Sequence, residues 1–310
     1  MAVVIEAKGL TKKYESFTAV DNLDLKIEEG TIFGFLGPNG AGKTTTILML
    51  MGLTEPTSGE ARIGGFNATR DPLKVKRITG YIPEKVGFYE DLSATYNLLY
   101  MARLNGIPDN KSNEAIARAL EKVGLKDKAG AAVSTFSKGM KQRLAIADLI
   151  VKGPSVAFMD EPTSGIDPEG IAQMLDLISA IAKEHNMTIV ISSHQLNQVE
   201  HICSRVGIMS KGKLVMEGSV DQLGQKAGGG KVIIEMQLAE VTPEILEGIK
   251  SVVGVLKVEQ RDEAVIITGT EDLRRQISRV IQEKNGLVVQ MKLQSYALED
   301  IYLKYFREAQ

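Results

Sequence analysis

Hydrophobic positions change their period along this chain, and the changes predict both strands and helices. Over the first 30 residues, apolar side chains such as Leu23 and Leu25 alternate with polar ones, which predicts half-buried strands. Residues 31–36 are a short apolar run between two glycines, typical of a buried strand. Residues 44–51 then continue as a predicted buried helix.

Helical spacing appears in the middle of the chain. From residue 92 to about residue 123, apolar residues recur with the period of a helix, and Ser93 and Ser112 are candidate N-cap residues. Strand-like runs return at residues 156–159 and 188–191, separated by a helix with one apolar face. Strands that alternate with helices favour a parallel α/β sheet.

Three consecutive glycines at residues 228–230 mark a predicted linker. Beyond it, strand and helix patterns follow in the order β-α-β-β-α-β, which predicts a small α+β domain of the ferredoxin-like type. Thr242, followed by proline, is the predicted N-cap of its first helix. A last helix is predicted at residues 297–306. We therefore expect domains at 1–227 and 231–310.

The composition and charge limit which classes of protein the chain can belong to. The 310 residues are 44% hydrophobic and 25% charged, as in ordinary globular proteins. With 37 basic and 39 acidic residues the net charge is −2, so bulk charge gives no reason to expect a nucleic-acid partner. The single cysteine, Cys203, excludes an internal disulfide framework. The sequence has neither a membrane-spanning run nor a signal peptide, so we expect another chain to supply any membrane span.

One segment carries a phosphate-binding pattern. Residues 37–44 read GPNGAGKT and match G-x-x-x-x-G-K-[ST] between a predicted strand and a predicted helix, the context that the pattern requires. Glycines let backbone N–H groups approach a phosphate chain, and the helix N-terminus adds partial positive charge. Lys43 is expected to reach the β- and γ-phosphates, and the Thr44 hydroxyl to face Mg²⁺. The residues expected to bind the nucleotide here are Gly37, Pro38, Asn39, Gly40, Ala41, Gly42, Lys43, Thr44 and Thr45.

Two carboxylates follow the apolar strand at residues 156–159. Asp160, at the strand end, can hold Mg²⁺, usually through water, and Glu161 can polarise a water that attacks the γ-phosphate. Acidic pairs are common on protein surfaces, so the pair alone is weak evidence. Downstream of a phosphate-binding loop, it predicts a nucleoside triphosphatase.

Together with residues 136–142, which read FSKGMKQ, these motifs make the chain resemble the ATP-binding subunit of an ABC transporter. The family signature is usually written L-S-G-G-Q. Ser137 and Gly139 retain it, and the positions that differ are Phe136, Lys138 and Met140. The resemblance implies a head-to-tail dimer, in which Ser137 and Gly139 of one subunit complete the ATP site of the other.

The resemblance also assigns roles to four further residues. Tyr14 lies where the family has an aromatic that stacks on adenine, although an ordinary surface or core tyrosine is nearly as good an interpretation. Asp167 belongs to a loop that crosses the dimer interface, and His194 is the histidine that contacts the γ-phosphate. Glu84 replaces the family's glutamine. We hypothesise that it still binds Mg²⁺ and senses the membrane partner.

The fold implied is a P-loop NTPase core of ABC type, with an N-terminal antiparallel β part and a helical subdomain at about residues 92–150. The implied activity is ATP hydrolysis, with ATP and Mg²⁺ as cofactors, that powers transport through a separate integral membrane subunit. The resemblance further implies a homodimer, or a pair with a related ATP-binding subunit, on the cytoplasmic face of the membrane. The signature variant, Glu84 and the C-terminal residues point to exporters of the multidrug and antibiotic-resistance type, with residues 84–103 near the membrane partner.

Two alternatives belong to other functional classes. A soluble ABC-type ATPase that acts on DNA or ribosomes usually has a long coiled-coil insertion, a second ATPase domain or a basic extension, and this sequence shows none of these. The second alternative is a regulatory binding module, in which the C-terminal domain dominates and ATP hydrolysis is secondary. Deletion of residues 231–310 separates that alternative from the transporter interpretation.

Overall fold

The computed structural model describes residues 2–219, 222–223, 232–261 and 264–294. The chain divides into two compact units, Met1–Gly218 and Ser219–Gln310. The predicted linker at 228–230 and the predicted helix at 297–306 both lie outside the described residues. The domain limits given above therefore stay predictions.

The first unit mixes strands and helices along its whole length. Its strands are β1 (Val3–Tyr14), β2 (Phe17–Glu28), β3 (Ile32–Leu36), β4 (Ser58–Ile63), β5 (Phe66–Asn67), β6 (Thr79–Ile82), β7 (Val156–Asp160), β8 (Thr188–Ser193), β9 (Arg205–Ser210) and β10 (Lys213–Gly218). Its helices are α1 (Lys43–Leu50), α2 (Pro72–Ile78), α3 (Ala94–Leu104), α4 (Asp109–Lys122), α5 (Lys138–Lys152), α6 (Pro168–Glu184) and α7 (Leu196–Ile202).

An antiparallel sheet forms the N-terminal part, as the alternating pattern predicts. Among the described residues its strands lie in the order β2-β1-β4-β5. Leu23, Leu25 and Ile27 are buried, whereas the polar residues between them are exposed. One face of the sheet is therefore packed and the other faces solvent.

A second sheet carries the α/β core. Within the described residues its order is β10-β9-β3-β8-β7-β6, with parallel neighbours throughout except for the β9–β10 pair. Every residue of β7 is buried, as expected for a parallel strand covered on both faces. The carboxyl ends of β3, β7 and β8 meet at one edge of this sheet. The phosphate-binding segment follows β3, and the acidic pair lies at the end of β7.

Helices α3, α4 and α5 share a core that includes Leu98, Ile116 and Leu144. Ser93 caps α3, since its hydroxyl accepts a hydrogen bond from the Tyr96 N–H. The prediction that Ser112 is an N-cap is wrong: α4 already begins after Pro108, and the buried Ser112 hydroxyl donates to the Asp109 carbonyl. The periodicity indicated the helix but not its first turn, which begins at Asp109 after an extended Pro108 that offers no capping side chain.

The second unit has the predicted β-α-β-β-α-β order. Its elements are β11 (Val232–Leu238), α8 (Pro243–Lys250), β12 (Val255–Arg261), β13 (Ala264–Gly269), α9 (Arg274–Glu283) and β14 (Val288–Gln294). In the described residues these strands form an antiparallel sheet in the order β12-β13-β11-β14. The Thr242 hydroxyl caps α8 by accepting from the Ile245 N–H at 3.3 Å, as predicted.

No helix in the described parts of the chain has both the length and the apolar composition that crossing a bilayer requires.

Candidate functional site

The loop between β3 and α1 has a conformation that depends on glycine. Gly40 and Gly42 have φ angles of 79° and 100°, in the region that L-residues with side chains rarely adopt. A Cβ on Gly42 would lie 2.4 Å from the Ala19 carbonyl oxygen, whereas Gly40 has open space around it. Gly42 is thus fixed by both its backbone angle and the neighbouring strand, and α1 begins directly after it.

Lys43 is buried at the start of α1. Its Nζ donates to the carbonyl oxygens of Gly37 at 2.7 Å and Pro38 at 3.2 Å. Its distance to Glu161 Oε1 is 3.8 Å, too long for a hydrogen bond. Burial lowers the pKa of Lys43, and the nearby charges of Glu161 and Asp160 oppose that shift. The ammonium group therefore lies in a position where additional negative charge stabilises it.

Both oxygens of Asp160 accept hydrogen bonds. Oδ2 accepts from the Thr44 hydroxyl at 2.7 Å, and Oδ1 accepts from the Ser192 hydroxyl. Ser192 was not among the predicted site residues. Its position directly after the apolar run 188–191 was the available signal, and the β7–β8 pairing places it opposite Asp160.

Glu161 has a backbone conformation that is rare outside glycine, with φ of 48°. Its N–H donates to the Ser192 carbonyl at 3.1 Å, and its Oε2 lies 2.9 Å from His194 Nδ1. Its other oxygen, Oε1, is buried and has no hydrogen-bond partner among the described residues. Buried carboxylate oxygens normally have a partner, so this atom indicates a group from outside the chain, such as a water or ligand.

A cavity of about 200 Å³ collects many of the predicted residues. It is lined by Phe17, Ala19, Asn39, Gly40, Ala41, Gly42, Lys43, Thr44, Thr45, Glu84, Asp160 and Glu161. Tyr14 is not in this lining. It pairs with Phe17 across the β1–β2 turn, is half-exposed, and has the Lys12 amino group 5.0 Å from its ring centre. Phe17, an exposed aromatic at a strand start, is a residue that sequence reasoning missed.

A hydrogen bond to its backbone connects Glu84 with α5, the helix that begins after Ser137. The Glu84 side chain is exposed, and its backbone carbonyl accepts from Gln142 Nε2 at 3.5 Å. Gln142 belongs to α5 and is buried, with its Oε1 unpaired in the described residues. This contact joins the segment after β6 to the helix that begins beyond Ser137.

Ser137, Gly139 and Asp167 line a different cavity, of about 440 Å³. The Ser137 hydroxyl accepts from the Met140 N–H at 3.2 Å, which caps α5. Asp167 Oδ1 accepts from the Gly170 N–H at 2.8 Å, which caps α6. The structure therefore brings these three residues together, but not into the phosphate-loop cavity of the same chain.

The oxygen donors near Lys43 fit a magnesium ion that arrives with a nucleotide. Among the described residues, no three His, Cys, Asp or Glu side chains converge as a metal cage. The hydroxyl of Thr44 and the carboxylate of Asp160 are nevertheless adjacent. Mg²⁺ commonly takes only one or two protein oxygens and fills its other positions with phosphate oxygens and water.

Comparisons with known proteins agree with this geometry. The family model described as "ABC transporter" matches residues 20–164. The chain is 45% identical over 240 residues to the bacitracin transport ATP-binding protein BcrA of Bacillus licheniformis, covering 77% of this chain and 76% of that protein. It is 33% identical over 252 residues to the linearmycin resistance ATP-binding protein LnrL of Bacillus subtilis, covering 81% and 80%. A solved ATP-binding subunit of an ABC transporter matches with a TM-score of 0.65 and 28% identity, covering 73% of this chain and 93% of that one.

Proposed function

This chain belongs to the ABC transporter family as an ATP-hydrolysing subunit, and from that premise we propose which residues perform the reaction and which surfaces meet its partners. Subunits of this class dimerise and act with membrane subunits. No relative reported above supports the alternative of an ATPase that acts on DNA or ribosomes.

The phosphate chain of ATP binds in the loop between β3 and α1. Backbone N–H groups around Gly40 and Gly42 and the N-terminus of α1 face the negative charge. The Lys43 ammonium exchanges its bonds with loop carbonyls for bonds with the β- and γ-phosphate oxygens, which also compensates its burial. Thr44 and Asp160 would hold Mg²⁺, with Glu84 lining the same cavity, and the ion supplies charge neutralisation on the phosphates when bound.

Glu161 is the general base. The observation that carries this assignment is its buried Oε1, which has no hydrogen-bond partner in the described residues, on a residue that lines the phosphate-loop cavity. A water on Oε1 gives its proton to this carboxylate as the water oxygen bonds to the γ-phosphorus and the bond to the ADP oxygen breaks. His194 holds Oε2 at 2.9 Å and so orients the carboxylate, close to where the γ-phosphate binds.

Ser137 and Gly139 act on the nucleotide of a second subunit. Their separation from the phosphate-loop cavity of the same chain supports this arrangement. Asp167 lines the cavity that contains them and is proposed to contact the partner across the interface. The dimer is of two copies, or of one copy with a related ATP-binding subunit.

The membrane subunit docks at residues 84–103. This segment exposes large apolar side chains, which on a soluble unit mark an interaction surface. Among them, the Tyr89 and Tyr100 rings lie edge to face with centroids 5.1 Å apart. The exposed residues are Tyr89, Leu92, Tyr96 and Tyr100. We place the subunit at the cytoplasmic face of the membrane, and the names of its relatives support export of antibiotic-like compounds.

The test replaces Glu161 with Gln. We expect ATP turnover to fall at least about 100-fold, because base catalysis contributes on that order. Light scattering with Mg-ATP should then show a stable dimer, and scattering without nucleotide a monomer. Glu114→Gln, an exposed change on α4, is the matched control and should hydrolyse ATP like the wild type. A Glu161→Gln protein that stays monomeric and keeps its turnover would contradict the proposed base and dimer.

A further inference from the structure

A groove on the first unit combines positive charge with exposed leucines. The cavity measures about 560 Å³ and is lined by residues of α2, the end of α3, the turn after it and the end of α5. We call this set the basic groove; its defining residues are Leu73, Lys76, Arg77, Leu104 and Lys152. None of them lines the phosphate-loop cavity or the cavity of the signature residues.

The apolar side chains of the basic groove are unusually exposed. Leu73 is 72% exposed and Leu104 is 66% exposed, the largest values for large hydrophobic residues in the described part of Met1–Gly218. A single exposed leucine needs no explanation, but two at one cavity are a candidate contact surface.

The charge of the groove has one sign. Its described lining contains three cationic side chains and no carboxylate. Three carboxylates lie nearby in sequence: Asp71 pairs with Lys74 at 2.8 Å, Asp109 pairs with Arg103 at 2.6 Å, and the charge of Asp148 acts on Lys152. Lys76 and Arg77 are exposed and have no ion pair among the described residues. Since the whole chain has a net charge of −2, this is a local feature and not a consequence of overall charge.

Helix α3 connects the groove with the proposed docking surface. Tyr96, Tyr100 and Leu104 recur at intervals of four residues and are all exposed, so they form one stripe along α3. The stripe runs from the surface proposed for the membrane subunit into the basic groove. Tyrosine at the edge of an apolar surface with nearby Lys and Arg is the composition found at membrane interfaces.

We propose that the basic groove binds the anionic phospholipid surface of the membrane, with Lys76 and Arg77 against headgroup phosphates and the two leucines among the upper acyl chains. The inference rests on the proposed function in one respect, because the membrane subunit brings this face to the bilayer. A lipid surface fits better than an acidic protein segment. The amide in the lining, Asn105 Nδ2, already donates to the Met101 carbonyl at 2.8 Å, which leaves few directional groups for a specific peptide.

The experiment is co-sedimentation of the purified full chain with vesicles. Vesicles of phosphatidylcholine alone are compared with vesicles in which a third of the lipid is phosphatidylglycerol. Each cation near an anionic surface raises partitioning about fivefold. We therefore expect binding to the anionic vesicles only, decreasing with salt, and a loss of at least about tenfold in the Lys76→Glu/Arg77→Glu double variant.

Controls separate this interaction from misfolding and from general charge. Lys111→Glu/Lys183→Glu makes the same charge change at exposed positions outside the groove and should bind like the wild type. Lys76→Gln/Arg77→Gln removes charge without placing acidic groups at the C-terminus of α2, and should also lose binding. Leu73→Ser should weaken binding and leave the melting temperature unchanged, since the side chain is exposed.

ATP hydrolysis is measured on the same preparations. A wild-type protein that hydrolyses ATP but binds neither vesicle overturns the groove proposal, and leaves an acidic segment of the membrane subunit as its occupant. The proposal is also overturned if the Lys76/Arg77 variants bind as the wild type does, or if the Lys111/Lys183 variant loses binding equally. A wild-type protein without ATPase activity is a failure of the proposed function instead.

Discussion

Two adjacent carboxylates at the end of β7 differ in the number of hydrogen bonds that they receive. Asp160 uses both oxygens, one toward Thr44 and one toward Ser192. Glu161 has a left-handed backbone and leaves one buried oxygen without a hydrogen-bond partner in the described residues. A fully hydrogen-bonded carboxylate is suited to hold a position, whereas a buried oxygen that accepts no hydrogen bond is suited to accept a proton. The proposed division between metal binding and base catalysis follows from this difference.

Phe17 provides a prediction at the same scale. Its exposed ring lines the phosphate-loop cavity, so stacking with the nucleotide base should contribute affinity. We expect Phe17→Ala to weaken binding of a fluorescent ATP analogue by about fivefold or more, because base–aromatic stacking contributes about 1–3 kcal/mol. Phe17→Tyr, which keeps the ring, is the control.

The same titration with Tyr14→Ala compares the residue that the family resemblance assigned. Loss of affinity in both variants means that both aromatic rings contact the nucleotide base. A loss in Tyr14→Ala together with wild-type affinity in Phe17→Ala would contradict the role of Phe17.

At the scale of elements, α5 connects several parts of the first unit. Ser137 caps its first turn, Gln142 contacts the backbone of Glu84, and Gly153 ends it with a left-handed φ of 62°. Its last turns contain Asp148, which is half-buried, and Lys152, which donates to the Lys76 carbonyl. The helix therefore reaches from the signature to the basic groove.

Asp148 makes the stability of this helix dependent on pH. Burial raises the pKa of Asp148 from 3.8 to about 6, and the charge of Lys152 opposes that shift only in part. The folded state therefore binds the proton more tightly than the unfolded chain. The contribution of this proton to the free energy of unfolding is fully present below about pH 4, and it is lost as the pH rises through about 6.

Asp148→Asn removes this loss. At pH 7.5 we expect the variant to exceed the wild type in free energy of unfolding by up to about 3 kcal/mol, with little difference near pH 4. Urea denaturation at the two pH values measures this difference in the free energy of unfolding. Asp127→Asn, an exposed change, is the control, and its free energy of unfolding should match that of the wild type at both pH values. An Asp148→Asn protein less stable than the wild type at pH 7.5 would show that the pairing with Lys152 outweighs burial.

At the scale of the whole molecule, the two compact units have separate cores. The buried hydrophobic clusters of the first unit lie within residues 4–209, and that of the second lies within residues 234–281. A unit with its own core can fold alone. The catalytic residues proposed above all belong to the first unit.

A chain that ends at residue 227 should therefore keep its fold and its ATPase. We expect a turnover within about twofold of the full chain and one cooperative melting transition. A chain ending at residue 200 is the control and should not fold, because it lacks β9, which pairs with β3. If the longer truncation changes the response to ligand or the dimerisation, the second unit regulates the first, as the regulatory alternative holds.

Features that depend on local spacing could be predicted from the sequence alone. The glycines of the phosphate-binding loop, the acidic pair at the end of a buried strand, and the order of elements in the second unit could be predicted, because backbone angles and hydrophobic period act over a few residues. The family comparison confirms the ABC fold and ATPase that these motifs indicated. The start of α4 was predicted wrongly at Ser112, since the helix begins after Pro108 without a side-chain cap.

Which distant residues meet depends on the packing of elements that lie far apart in the sequence. The contact between Ser192 and Asp160 depends on β8 lying beside β7, and the basic groove depends on α2, α3 and α5 ending together. The cavity shared by Ser137 and Asp167 likewise joins two separate helix starts. Strand order and helix packing are set by the burial of the entire core. A local pattern indicates which face of an element is buried, but it does not indicate which other element covers that face.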